Sequence, residues 1–233
     1  MPKLIAIYLS AWCCTAVSLA ATAADLESRP TMLWPRQLQP GDTIMFVAPA
    51  GDLDPNRMER AKQRLEDRGY RTKQRDDLFV QEGYLAGTDE RRCEELMQAF
   101  TDPEVDAIFP GTGGYGTMRI LDSLDYDTIR AHPKLLIGFS DITALHLAIN
   151  RHAGLVTFHS PNPMWGLGSK EYLQPFSEKF FFQAVESQGG VRTDYTIETT
   201  GDDVPQPIAI GSGKAQGRLT GGNLSLIAWL MCT

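Results

Sequence analysis

Cysteine is scarce in this chain: there are four, and two of them, Cys13 and Cys14, lie in an apolar stretch near the start. The other two, Cys93 and Cys232, stand far apart, which excludes a disulfide framework even in an oxidising compartment. Basic residues are outnumbered as well, 22 against 29 acidic ones, for a formal net charge of −7, and no lysine/arginine block interrupts the chain. That balance argues against nucleic acid or an anionic membrane as the main partner and leaves a small neutral or cationic one easier to accommodate. Long apolar runs are missing after the N-terminus, where Lys3 precedes LIAIYLSAWCCTAVSLA. This run is slightly short for a bilayer core of about 30 Å. It reads as a signal peptide over residues 1–23, cut near Ala23 in Ala21-Thr22-Ala23. Trp12 stands where a lipoprotein site needs a small residue before Cys13, so no lipid or other stable membrane anchor is expected. The predicted location is outside the cytoplasm, periplasmic or extracellular.

What is present suits an ordinary core: 42% of residues are hydrophobic and 22% charged, as in a soluble globular protein of one or two domains. Strand and helix signals alternate. DTIMFVAPAG is an apolar run of strand length, and DPNRMERAKQRLEDRGY sets Met58, Ala61 and Leu65 on one face of a helix that stops at Gly69. Thr88 is placed to cap a second helix, with Asp89 and Glu90 in its first turn and Leu96, Met97 and Phe100 facing inward. VDAIFPGTGGYG follows as strand and glycine loop, then PKLLIGFS as a strand feeding the helix DITALHLAINRHAG. Repetition of strand then helix predicts an α/β fold, a parallel sheet flanked by helices, with the site on loops at the carboxyl ends of strands. This N-terminal domain is expected over residues 33–185. Residues 186–216, rich in glycine, proline, threonine and aspartate, read as a linker, and 217–233 as the truncated start of a second domain, its helix capped by Asn223.

Two features carry chemistry. Gly111, Gly113 and Gly116 have the spacing of a dinucleotide-binding loop, and Asp141 lies 25 residues beyond Gly116. Against that, TMRILDSL is a short helix, the loop lies deep in the chain, and Asp141 is better explained as the neighbour of a serine. The glycines also suit a tight turn requiring positive φ, or a loop whose bare N–H groups face a reaction site. Ser140, where a strand becomes a helix, fits a nucleophile elbow whose next N–H, that of Asp141, stabilises an oxyanion. GFSDI has the first glycine of such an elbow but Ile142 in place of the last. A plain helix N-cap explains the serine equally well on these residues alone.

GTGGYGTMRILDSLDYDTIRAHPKLLIGFSDITALHLAINRHAGLVTFHSPNP resembles the core of the LD-carboxypeptidase family, the serine peptidases that include muramoyltetrapeptide carboxypeptidases and microcin-immunity peptidases. GDTIMFVAPAG and GRLTGGNLSLI match in the same order, so the resemblance covers roughly residues 33 to 233. It implies a flavodoxin-like or glutamine-amidotransferase-like N-terminal domain. It makes Ser140 the nucleophile, Asp141 one oxyanion donor and the loop at Gly113 and Gly114 the other, with Thr112, Tyr115 and His159 bordering the substrate. The implied reaction releases a terminal D-amino acid, such as D-alanine, from a murein tetrapeptide through an acyl-enzyme, without metal or cofactor. The implied partner is therefore a small peptide, and the implied oligomer a homodimer.

The chain departs from the family pattern in three places. Thr112 replaces an arginine before the glycine pair, and His159-Ser160-Pro161 stands for His-Gly-Pro. The family's glutamate and histidine belong to a carboxy-terminal domain beyond the chain's last residue. Of the local histidines, His146 is expected to face solvent or a neighbouring helix, and His132 and His152 to serve the surface. His159 is the best-placed substitute base, though the resemblance gives it no such role. The expectation is a truncated product of little activity, with a non-catalytic module that binds cell-wall peptides as the alternative.

Overall fold

The computed structural model describes residues 30–187, 212–214 and 220–231. The leader reading, most of the proposed linker and Cys232 lie outside the described residues. Five parallel strands, β1 (Thr43–Val47), β2 (Arg71–Lys73), β3 (Ala107–Pro110), β4 (Leu135–Gly138) and β5 (Phe158–His159), form one sheet in the order β2-β1-β3-β4-β5. In register, Met45 lies beside Ile108, Ile108 beside Leu136, and Gly138 beside His159.

Both faces of the sheet are covered, which is why the central strands read as unbroken apolar runs. Alternation along each strand then sorts the side chains between two cores. Ile44, Phe46, Ala107, Phe109, Leu135 and Ile137 pack with Met58, Ala61 and Leu65 of α1 (Pro55–Asp67) and with Phe181, Phe182 and Val185 of α5 (Pro175–Val185). On the other face, Met45, Val47, Ile108 and Leu136 meet Leu96, Ala99 and Phe100 of α2 (Asp89–Thr101), Ile129 of α3 (Tyr126–Ala131), and Leu145 and Ile149 of α4 (Thr143–His152). Each buried side chain of leucine or methionine size contributes about 2 kcal/mol of transfer free energy.

The caps follow the sequence. The Asp54 carboxylate accepts from the N–H groups of Asn56 and Arg57, and Thr88 Oγ1 accepts from Arg91 N. Asn223 Oδ1 caps α6 (Leu224–Leu230), and the N–H of Asn223 donates to Thr143 Oγ1 at 2.9 Å, docking this segment on the start of α4. Helix α5 was not anticipated from the sequence, and two shorter elements carry little signal of their own. β2, Arg-Thr-Lys, is an edge strand with little apolar content, and α3 is a six-residue helix started by Asp125, whose side chain accepts from Thr128 N. Met97 is only partly buried, while Arg92 and Glu95 occupy buried positions on the same helix.

The chain leaves β1 toward β2 on one side and returns to β3 on the other, so the carboxyl ends of the central strands open a crevice. The loops after β1, β3, β4 and β5 gather there.

Candidate active site

Ser140 sits between β4 and α4 with φ of 62°, in the left-handed region that a residue with a Cβ enters at a cost of about 1–2 kcal/mol. The adjoining turn over Ser140–Ile142 has Phe139 as its flanking residue and no side-chain cap. The serine is therefore not an N-cap, and the tie left open by the sequence is resolved toward a strained turn. Strain of this kind persists where surrounding structure over-determines it.

The glycine loop after β3 lies against that turn. A Cβ built on Gly113 would fall 2.9 Å from both Asp141 N and Ser140 Cβ, so a side chain there would occupy the space beside the nucleophile. Gly113 O accepts from Gly51 N at 3.0 Å, and Gly51 follows β1, on the far side of β3 from β4. Across a trans peptide the N–H opposes the C=O. The Gly114 N–H is thus directed to the side where β4 delivers Ser140. Gly116 has φ of 129°, open to glycine alone among ordinary residues.

Two side chains, besides the Gly51 N–H, anchor the loop. Arg92, with no exposed surface, donates from one terminal nitrogen to Pro49 O (2.7 Å) and Gly116 O (2.9 Å), joining the loops after β1 and β3. Its other terminal nitrogen pairs with Asp89. At the loop's end, Thr117 N donates to Asp141 Oδ2 at 2.9 Å, and the Thr117 hydroxyl lies 2.7 Å from Asp141 O and 2.9 Å from Oδ2. Asp141 is 2% exposed. Its carboxylate thus fastens the glycine loop to the elbow and is not displayed as the ribose-binding acid of a dinucleotide site would be. Nearby, buried Glu95 accepts from Ala48 N at 2.6 Å and from Arg91; burial raises its pKa.

His146 corrects the sequence reading. It does not face solvent: its ring folds back under the elbow, and Nε2 donates to Gly138 O at 2.9 Å. That bond leaves Nδ1 unprotonated, buried and without a partner among the described residues. Desolvation pushes its pKa down to about 4. His159, at the exposed end of β5, packs edge-on to Phe139 and 6.1 Å from the His146 ring, and partial desolvation lowers its pKa too. Neither ring bonds to the Ser140 hydroxyl.

The remaining sequence candidates lie on the rim. Thr112 is buried, and its hydroxyl accepts from Trp165 Nε1 at 3.2 Å. Tyr115 is exposed, and its ring lies tilted against that of Tyr84 with centroids 5.9 Å apart. The loop after β5 approaches β3 through Met164 N, which donates to Gly111 O at 3.0 Å. Sequence reading missed Arg92, Thr117, His146 as a partner of the elbow, Tyr84 and Trp165. Arg92 alone carried a signal: an arginine on the apolar stripe with Leu96 and Ala99. Among the described residues no cluster of three metal-ligating side chains occurs, and no helix is long and apolar enough to cross a membrane.

Comparisons with known proteins agree with this fold. The LD-carboxypeptidase N-terminal domain model matches residues 44–160. A probable murein peptide carboxypeptidase of Bacillus subtilis is 38% identical over 193 residues, covering 83% of this chain and 58% of that protein. The murein tetrapeptide carboxypeptidase of Pseudomonas aeruginosa is 32% identical over 215 residues, covering 89% and 66%. The solved apo structure of the microcin C7 self-immunity protein MccF superposes with a TM-score of 0.73 at 26% identity, covering 85% of this chain and 65% of that one. The chain thus spans about three fifths of the length of the first curated relatives it matches.

Proposed function

The chain belongs to the LD-carboxypeptidase family, and from that premise we propose that it contributes the nucleophile half of a serine peptidase that removes a terminal D-amino acid from murein tetrapeptides. The observation that carries this reading is the positive φ of Ser140 beneath Gly113. Ser140 Oγ attacks the amide carbonyl, and the new C–O bond places negative charge on the carbonyl oxygen. The N–H groups of Asp141 and of the Gly113–Gly114 loop face that oxygen as donors. Collapse breaks the C–N bond, the leaving amine takes a proton, and water then cleaves the ester. Thr112, Tyr115 and His159 border the peptide. Names of the relatives support the substrate class: one is a murein tetrapeptide carboxypeptidase.

The step needs a base for the Ser140 proton, and no ring nitrogen of the described residues contacts that hydroxyl. We assign the base to a carboxy-terminal domain, as in the family resemblance. Without it a serine is a weak nucleophile, and residual rates come from binding and the oxyanion donors. The same fact favours a second reading, a module that binds cell-wall peptides without cutting them.

Mass spectrometry of a murein tetrapeptide incubated with the purified chain, beside Ser140→Ala, tests the two. Release of D-alanine that requires Ser140, rising by orders of magnitude when a relative's carboxy-terminal domain is appended, supports the peptidase. Binding unchanged by Ser140→Ala, with no release in either form, supports the module. We also propose export of the protein, on the composition of residues 1–23; a secreted form beginning near Ala24 is the expected mass. Sedimentation checks the implied homodimer.

A further inference from the structure

Three arginines of α1, at positions 57, 60 and 64, lie on one side of the helix and face the loop after β5. None forms an ion pair among the described residues, in a chain whose net charge is −7. Arg60 and Arg64 have a plain structural use. Arg60 Nε donates to Gly168 O at 2.9 Å, and Arg64 donates to Ser169 O at 2.7 Å and to Leu167 O while lying over the Tyr172 ring. They strap the loop to the helix.

Arg57 differs. Its guanidinium lies 4.1 Å above the Trp165 ring, and its one side-chain hydrogen bond, to Met164 O, is long at 3.3 Å. A guanidinium carries five N–H donors. Most of those on Arg57 are unengaged and lie beside an indole that is 57% exposed. That indole is nevertheless fixed: Trp165 N donates to Asn162 Oδ1 at 2.9 Å, and Nε1 to Thr112 Oγ1 at 3.2 Å. Thr112 immediately precedes Gly113, whose Cα is about 3.8 Å further along the chain, and Gly113 rests against Ser140. A large exposed aromatic held by polar bonds and capped by an unpaired cation is preorganised for a ligand carrying both apolar surface and negative charge.

We propose that Arg57 and Trp165 form a subsite that takes a carboxylate of the peptide, with the guanidinium pairing to the carboxylate and the indole covering the adjoining carbon surface. This rests on the peptide-cleaving reading above, and it qualifies the expectation from overall charge: the molecule is acidic, but Arg57 sets a cation without an ion-pair partner among the described residues at this edge of the crevice. Pairing of an arginine with a carboxylate is charge-assisted and geometrically selective. Arg57 is a specificity-determining residue in this arrangement, and Trp165 carries the apolar part of the contact.

The test is calorimetric binding of two probes to the full chain: a murein tetrapeptide with free carboxylates, and the same peptide with its carboxylates converted to carboxamides. The expected result is that Arg57→Met weakens the acid form about tenfold and leaves the amide form unchanged, whereas Trp165→Ala weakens both. Arg60→Met serves as a matched control that loosens the loop without discriminating the probes. Equal loss of both probes with Arg57→Met, or no loss, overturns the subsite while leaving the peptide reading intact. Absence of binding by either probe overturns both. Arg57-dependent binding with no Ser140-dependent cleavage, even once a relative's carboxy-terminal domain is appended, sustains the subsite and sinks the peptidase reading alone.

Discussion

The glycine loop after β3 and the elbow after β4 meet at Gly113 and Ser140, yet they are held in opposite ways. The loop has almost no local support and is fastened from a distance: Arg92 reaches it from α2, Gly51 from the end of β1, and Asp141 from the elbow. The elbow is held by its own chain, with strand and helix on either side and His146 turned back onto the Gly138 carbonyl. One half of the site depends on a permanently charged buried side chain and the other on a neutral buried imidazole. Damage to the loop should therefore be large and independent of pH, and damage to the elbow should follow a titration.

The largest effect tests the loop's remote anchor. Arg92→Met leaves Pro49 O and Gly116 O without their donor and should cost about 4 kcal/mol in urea unfolding, at pH 5 and at pH 8 alike. Next, Gly113→Ala should slow acylation of Ser140 by an activated ester by about 10² to 10³-fold, since the new methyl group crowds the oxyanion position. A smaller loss in stability than in rate would separate the loop's chemistry from its packing.

The elbow's dependence appears in the pH profile. His146 titrates near 6.5 when unfolded and is pushed down to about 4 in the fold by desolvation. Its folded pKa is depressed, so between these values the unfolded chain binds more protons. Stability should be full above about pH 6.5 and fall by about 3 kcal/mol on acidification toward pH 4. Thermal denaturation of His146→Gln should lose most of that slope. His159, shifted in the same direction, adds a smaller part. The smallest effect is a gain: Ser140→Gly should stabilise the fold by about 1 kcal/mol in chemical denaturation by relieving the positive φ, while abolishing acylation.

Most of the framework was legible in the residues. The apolar runs at Thr43–Val47, Ala107–Pro110 and Leu135–Gly138, the caps Thr88 and Asn223, and the buried face Met58, Ala61, Leu65 all appear where local pattern put them. β2 was hidden because an edge strand of Arg-Thr-Lys needs little apolar content, and α3 because six residues hold too few turns to show a period. In the site, Ser140 and the glycines were singled out by type and spacing. Their partners were not, because Arg92 and Thr117 act through contacts made 24 residues away in sequence, to Gly116 and Asp141.

Alternation of strand and helix, hence a parallel sheet with its loops at one edge, follows from the residues alone, because periodicity and capping are local properties of the chain. That Ser140 is a strained turn and not a cap, that His146 is buried, and that Arg57 lies over Trp165 emerge only from the folded chain. Those outcomes depend on which distant groups fill the space around a side chain, and burial and pairing of that kind arise only when the strands are laid side by side.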